Sequence, residues 1–186
     1  MSDATSSETR TRIVRATVGL MQSRSYDDVQ MRDVVRAADA AIATVYRYFT
    51  SKDHLLAAAL LEWSGRFPDD VRRSTATTSV DEVKEAYGRA IRSFERFPSV
   101  YTHLDALRST TDDDARTLYR EFATRQQDAF GVSLRRIRAD RRRRIVDVMD
   151  AVLDSSLREW SQGRRSIDGV IEAVDSAADL LLAPRS

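Results

Sequence analysis

The sequence predicts an all-α protein, and three observations support that fold class. The 186 residues include only 6 Gly and 3 Pro, which leaves long uninterrupted segments and disfavours a turn-rich sheet fold. Apolar residues recur at three- and four-residue spacing through most of the chain, as they do on amphipathic helices. A hydrophobic content of 42% is enough to close these helices around a core. We expect about nine helices from this spacing.

Composition excludes several classes of protein. The absence of cysteine excludes disulfide frameworks, thiolate zinc sites and cysteine nucleophiles. No apolar run approaches the roughly 20 residues of a membrane span, and the N-terminal MSDATSSETRTR does not resemble a secretory signal. We therefore expect a cytoplasmic protein with no membrane partner. Because 30 basic residues nearly balance 29 acidic ones, a nucleic-acid surface must come from local arrangement of charge.

Residues 30–53, QMRDVVRAADAAIATVYRYFTSKD, predict two short helices joined by a tight turn, with a third helix starting at once. In the second helix, residues 42–49, Val45 and Phe49 are four residues apart and face a core. Hydroxyl, aromatic and cationic groups occupy the rest of its surface: Thr44, Tyr46, Arg47 and Tyr48. A helix that packs on one side and presents such groups on the other can contact phosphates and base edges.

The segment TVYRYFTSKDHLL, close behind MRDVVRAA, resembles the signature of TetR-type transcriptional repressors. YDDVQMRDVV, and a Trp-containing helix followed by a Leu-rich one near the end, resemble the actinobacterial sterol-catabolism (KstR-like) branch. The resemblance implies a helix-turn-helix DNA-binding domain over residues 1–50 and a ligand-binding and dimerisation domain over residues 51–186. It further implies a homodimeric repressor that binds a palindromic operator and is released by a hydrophobic or acyl-CoA-like effector.

The same resemblance assigns roles in DNA binding. Arg32 reaches into the major groove. The residues implied to meet base edges are Ile42, Ala43 and Tyr46. The residues implied to hold phosphates are Thr44, Arg47, Tyr48 and Lys52. Because phosphate contacts set register and base contacts set sequence, the first group determines specificity.

The chain departs from the family's common pattern at the start of the second helix. Asp39 stands where many members have Gly, and Ala41 stands where a Ser or Thr cap is common. We expect Asp39 to cap a helix that starts two residues earlier. The apolar pair Ile42 and Ala43 cannot hydrogen-bond bases, so it predicts contacts with thymine methyl groups. For the following helix we expect Thr50 or Ser51 to act as the N-cap.

The C-terminal helices supply two further sets of candidate residues. The resemblance implies a ligand cavity for a steroid or an acyl-CoA, and its candidate lining residues are Trp63, Phe67, Tyr87, Ile91, Phe94, Tyr101, Leu104, Phe122 and Met149. Each of these can also be plain core. The last two amphipathic helices can complete a core or pair with a second copy, as in the resembled family. Their candidate interface residues are Val152, Ser156, Trp160, Val170, Val174, Ala178 and Leu181.

Residues 135–144, RRIRADRRRR, contain seven arginines. This run is either a solvated helix start or a seat for an acidic ligand group such as a coenzyme A phosphate.

Two rival functions remain. His54 and His103 are the only histidines, no metal-ligand spacing links them to Asp112–Asp114, and no phosphate loop or nucleophile elbow occurs. We therefore expect no catalytic residue, metal or cofactor. The other rival is a helical regulatory or interaction protein of the same fold, with altered or lost DNA binding and a different small-molecule ligand.

Overall fold

A computed structural model describes the backbone of residues 2–65 and 79–183, and the side chains of residues 6–65 and 80–183. Within these ranges the chain forms nine α-helices and no strand, which confirms the all-α class. The helices are α1 (Ser2–Ser23), α2 (Met31–Ala37), α3 (Ile42–Tyr48), α4 (Lys52–Ser64), α5 (Ser79–Arg96), α6 (Pro98–Arg108), α7 (Asp113–Val132), α8 (Ala139–Ser161) and α9 (Ile167–Leu182). None of the described helices is long and apolar enough to cross a bilayer.

The first of two compact units comprises the residues up to 65 together with residues 97–123. Helix α4 is its centre, because α1 and α6 both pack against it and an unbroken run of its side chains, residues 55–60, is buried. Ile13 and Met21 of α1 and Leu107 of α6 are also buried in this unit. The three helices of the predicted helix-turn-helix therefore share one unit with α4, α6 and the start of α7.

The second unit comprises the described residues 79–96 and 124–183. Helix α9 packs against both α5 and α8. Two ion pairs join α5 to α9, Lys84 with Asp179 at 2.7 Å and Arg92 with Asp168 at 3.0 Å. The rings of Tyr87 on α5 and Phe130 on α7 are stacked with centroids 3.9 Å apart. The second unit therefore has an aromatic stack in its interior, and ion pairs at its surface connect α5 to α9.

Helix ends follow local rules. Proline separates α5 from α6 because Pro98 occupies the first position of α6, where its missing N–H costs nothing. The Asp112 carboxylate accepts the Ala115 N–H at 2.8 Å and so caps α7. Ser166 caps α9 by accepting the Gly169 N–H at 3.0 Å.

Candidate nucleic-acid interface

The turn between α2 and α3 is built around one unusual backbone angle. The Gln30 N–H donates to the Asp33 carboxylate at 3.2 Å at the start of α2. After α2 ends, Asp39 takes φ +45°, the only left-handed non-glycine residue in the described ranges. Aspartate tolerates this region better than most residues. The Ala40 N–H then donates to the Val35 carbonyl at 3.2 Å and closes the turn.

The expectation that Asp39 caps α3 is wrong. Helix α3 begins at Ile42, with Ala41 as an N-cap residue that makes no side-chain capping bond. Asp39 occupies the left-handed position of the turn, where the chain reverses, so it serves the end of α2 and not the start of α3. The helix therefore begins later than expected and without a side-chain cap.

Helix α3 is docked by one face and open on the other. Val45 and Phe49 are both 0% exposed, which confirms that they anchor the helix to the core. On the other side Ile42 is 47% exposed and Tyr46 is 50% exposed, and Ala43 is exposed beside them. Exposed large apolar and aromatic side chains on a short docked helix are typical of a surface that meets a partner.

The cationic and hydroxyl groups of α3 form a small cluster. The Tyr48 hydroxyl lies 2.8 Å from the Ser6 hydroxyl of α1 and accepts a bond from the Arg47 guanidinium at 3.3 Å. The hydrogen bond with Ser6 and then that from Arg47 lower the pKa of Tyr48 below its ordinary value. Arg47 also lies over the Tyr48 ring, 5.0 Å from its centroid. Arg32, on α2, is exposed. Arg47 and Tyr48 are thus held together at the surface.

Lys52 is placed differently from the other predicted phosphate contacts. Its ammonium group donates to the Tyr26 carbonyl at 2.6 Å and lies over the Tyr26 ring, 4.1 Å from the centroid. A phosphate contact would have to use one of the remaining N–H bonds of that group. Sequence reasoning missed Tyr26, which is 26 positions away and carries no local signal for this contact.

Ser51 is the N-cap of α4, as expected. Its side chain accepts the His54 N–H at 3.0 Å, and its hydroxyl donates to the Asp112 carboxylate at 2.6 Å. The bond from Ser51, followed by that from the Ala115 N–H, lowers the pKa of the Asp112 carboxyl. The start of α4 is therefore tied to the turn before α7.

A second set of bonds links the same two places. The Asp53 carboxylate accepts hydroxyl bonds from Tyr26 and Thr110, and the Thr50 hydroxyl donates to Asp114 at 3.2 Å. Asp112, directly before α7, and Asp114, in its first turn, therefore bind the start of α4. No group of three or more potential metal-ligating side chains occurs among the described residues.

Residues 13–59, from α1 into α4, match the family described as "Bacterial regulatory proteins, tetR family". Over 184 residues the chain is 30% identical to the HTH-type transcriptional repressor KstR of Mycobacterium tuberculosis, an alignment that covers 94% of this chain and 81% of that protein. The chain belongs to the TetR family. It is a TetR-family transcriptional repressor of the KstR-like branch.

Other comparisons agree with this TetR-family assignment. KstR of Rhodococcus jostii is 34% identical over 98 residues, which span 53% of this chain and 46% of that protein. A TetR transcriptional regulator from Rhodococcus sp. RHA1 has a TM-score of 0.77 at 25% identity, with 97% and 99% of the two chains covered. FadR of Thermus thermophilus, solved in complex with lauroyl-CoA, shares the fold with a TM-score of 0.74 at 17% identity, covering 95% of this chain and 96% of that one. These relatives are regulators, which is consistent with the expectation that the chain is not an enzyme.

The predicted cavity and dimer residues of this TetR-family chain divide by burial. The buried cavity candidates of the first unit are Trp63, Tyr101, Leu104 and Phe122, and those of the second unit are Tyr87, Ile91, Phe94 and Met149. Phe67 lies outside the described residues. The dimer candidates already buried within the chain are Ser156, Val170, Val174 and Ala178. The partly exposed ones are Val152, Trp160 and Leu181.

Proposed function

We propose that this repressor binds a palindromic operator as a homodimer and releases it when a hydrophobic or acyl-CoA-like effector binds. Residues 1–50 would form its DNA-binding domain and residues 51–186 its ligand-binding and dimerisation domain. The observation that carries the proposal is that α3 is buried on one face and exposed on the other, with Val45 fully buried and Tyr46 half exposed. Helix α3 is then the reader that enters the major groove.

In this proposal the exposed tip of α3 reads bases through apolar contact. Ile42 and Ala43 pack on thymine methyl groups, and Tyr46 and Arg32 reach base edges. Arg47, held on Tyr48, is well placed for a backbone phosphate because its guanidinium is at the surface next to the reader face. Thr44 and Lys52 complete the phosphate contacts.

The homodimer would form through the outer faces of α8 and α9. Four of the predicted interface residues are buried within the chain, so the side chains available to a second copy are the outward ones. Val148 is 46% exposed and Leu180 is 82% exposed, and both are large apolar groups. Val152, Trp160 and Leu181 are partly exposed on the same two helices. A two-fold dimer that fits a palindromic operator must hold its two readers about one turn of DNA apart, or slightly more.

The proposed release is a shift between two states. The effector, a steroid or an acyl-CoA, favours a state in which α4 has moved and the two readers no longer fit their half-sites. It can do so only by binding that state more tightly, with a coupling of about 1–3 kcal/mol. Helix α4 is bonded at its start to the turn before α7 through Ser51 and Asp53. That connection would carry a displacement of the turn directly to α4. Acyl-CoA complexes are known for the FadR proteins of similar fold from Thermus thermophilus and Bacillus subtilis.

The operator is tested by fluorescence anisotropy with the promoter DNA upstream of the protein's own gene. Tyr46→Ala should lower affinity by about 1–3 kcal/mol, because a base contact is lost. Arg47→Ala should lower affinity and also reduce its salt dependence, because one phosphate contact is lost. Replacing thymine by uracil across the operator should weaken binding at the bases that Ile42 and Ala43 contact.

Arg144→Ala is the matched control for Arg47→Ala, since it removes an exposed arginine from the second unit. It should leave affinity unchanged. If the wild-type protein does not bind this DNA at either of two salt concentrations, or binds uracil-substituted operator equally well, the proposed readout is wrong. The former result would favour a regulatory protein that has lost DNA binding.

The effector is sought by a thermal-shift screen of steroid acids, acyl-CoAs and drug-like cations. Any hit is then added to the protein–operator complex. Release of DNA at concentrations near the effector's dissociation constant supports the mechanism, whereas binding without release contradicts it.

Light scattering of Leu180→Arg should show a monomer if the proposed faces form the dimer.

A further inference from the structure

The arginine run begins on the turn between α7 and α8 and continues into the first turns of α8. In that turn the Leu134 N–H donates to the Gly131 carbonyl at 3.1 Å and the Ile137 N–H donates to the Leu134 carbonyl at 2.9 Å. Leu134 is buried. The arginines of residues 135–144 therefore project from a hydrogen-bonded backbone that is anchored in the core, and not from a free linker.

These arginines differ in how they are held. Arg135 forms an ion pair with Glu82 of α5 at 3.4 Å, and Arg141 donates to the Leu181 carbonyl at 3.3 Å. Among the residues that the structure describes, Arg142 and Arg143 make no ion pair and no side-chain hydrogen bond. Both belong to the first turns of α8, close to the positive end of its dipole, where cations are unfavourable. A bound anion would offset that repulsion.

A groove of about 460 Å³ separates the end of α7 from the start of α8. Its walls carry three guanidinium groups, from Arg135, Arg142 and Arg143. They also carry two carboxylates, Asp128 and Asp147. This volume lies within the range of small-molecule sites. The guanidinium fork fits phosphate oxygens in bidentate geometry, while carboxylates accept bonds from hydroxyl and amino groups.

We propose that this groove binds a nucleoside diphosphate group. The phosphates would lie on Arg142 and Arg143, with Arg135 held beside them by Glu82. The ribose hydroxyls or the base amino group would donate to Asp128 or Asp147. The same group occurs in a free nucleotide and in coenzyme A, and either source fits the chemistry of the walls. The site is independent of operator binding and stands even if the proposed repression mechanism fails.

The test is isothermal titration of the full-length protein, free of DNA, at about 0.15 M salt to screen diffuse attraction. The titrants are ADP, coenzyme A, inorganic pyrophosphate and adenosine. We expect one ADP or one coenzyme A per chain, with pyrophosphate weaker and adenosine weaker still. Arg142→Gln/Arg143→Gln should weaken ADP at least about tenfold. Asp147→Asn should weaken ADP relative to pyrophosphate, because only the nucleoside can donate hydrogen bonds to this carboxylate.

Arg136→Gln/Arg144→Gln is the matched control, because it removes two exposed arginines of the same run that do not line the groove. It should change ADP binding by less than about twofold, as expected for screened surface charges. Gly131→Leu fills the groove without changing charge, because a Cβ atom at position 131 would lie 3.8 Å from the Arg142 Cδ and the rest of the side chain would extend beyond it. It should weaken ADP as strongly as the double arginine variant.

The possible outcomes are separable. If coenzyme A binds more tightly than ADP, the natural ligand is coenzyme A or one of its esters. If ADP binds more tightly, the natural ligand is a free nucleotide. Both results support the site. Equal losses in the two double variants would show diffuse attraction and overturn it. Pyrophosphate binding as tightly as ADP, or no binding of ADP and coenzyme A, would also overturn it.

Discussion

Two tyrosine–aspartate pairs, one in each unit, show how position changes the same interaction. Tyr26 donates to Asp53 in the first turn of α4, and Tyr87 donates to Asp150 in the middle of α8 at 2.9 Å. Asp53 also accepts the Thr110 hydroxyl. Burial, and then the bond to Asp53, raises the pKa of Tyr26 to about 12.

In the second pair the pKa values of both groups, the Asp150 carboxyl and the Tyr87 phenol, are raised. Burial raises the pKa of Asp150 to about 6, although hydrogen bonds with Tyr87 and Gln127 act in the opposite direction. Nearby Asp147 raises it further by repulsion. The pKa of the buried Tyr87 hydroxyl is also raised. The first pair therefore connects the start of α4 to the segment before α2, and the second places a carboxyl with a pKa of about 6 inside the second unit.

The largest effect is expected at the first pair. Asp53→Ala removes the acceptor of both Tyr26 and Thr110, so two half-buried hydroxyl groups lose their partner. The free energy of unfolding should fall by about 2–3 kcal/mol. Urea unfolding followed by circular dichroism measures this change.

Asp113→Ala is the control for that experiment, because Asp113 is 95% exposed and only joins Arg116 at 3.3 Å. Its effect should stay within about 0.5 kcal/mol. A loss at position 53 no larger than that at position 113 would mean that the bonds at the start of α4 contribute nothing to stability.

Asp150→Asn should stabilise the protein at neutral pH. The folded-state pKa of Asp150, about 6, lies above its ordinary value of 3.8, so the folded protein holds this proton more tightly than the unfolded chain. The free energy of unfolding of the wild type should fall as pH rises from 3.8 to about 6, and the loss is complete above that range. The variant lacks this loss and should gain about 1–2 kcal/mol at neutral pH.

Unfolding measured near pH 4 and near pH 7.5 separates the pH-dependent gain of Asp150→Asn from a packing effect, which would be the same at both pH values. The two proteins should be nearly equal at the lower pH. Asp147→Asn, which removes only the neighbouring repulsion, should give a smaller gain. A destabilisation by Asp150→Asn near pH 7.5 alone would show that the carboxylate is needed in its charged form, and an equal destabilisation at both pH values would show a packing effect.

Much of the fold could be predicted from sequence because helices report their ends and faces locally. The spacing of Val45 and Phe49 correctly placed the buried side of α3, and the Ser51 cap followed from its position before a helical run. The prediction that Asp39 caps α3 failed because aspartate is favoured both as a helix N-cap and as a left-handed turn residue. Only the backbone angle distinguishes them.

The partners of long side chains could not be predicted in the same way. Lys52 stands next to the free N–H groups of α4 in sequence, which suggested a phosphate seat. Its ammonium instead meets a carbonyl from the segment before α2, because folding brings Tyr26 beside it. The arginine run was visible by composition, yet the division between paired Arg135 and unpaired Arg142 depends on the packing of α5 and α7 around it.

The smallest effect returns to the first pair. Tyr26→Phe removes one hydrogen bond and should cost about 0.5–1.5 kcal/mol near pH 8. Because the folded-state pKa of Tyr26 is about 12 and its ordinary value is 10.0, the stability from this proton is present below pH 10.0 and is lost towards pH 12. The difference in unfolding free energy between wild type and variant should therefore shrink across that window. A difference that stays constant from neutral to alkaline pH would show that neither burial nor the bond to Asp53 raises the pKa of Tyr26 in the folded protein.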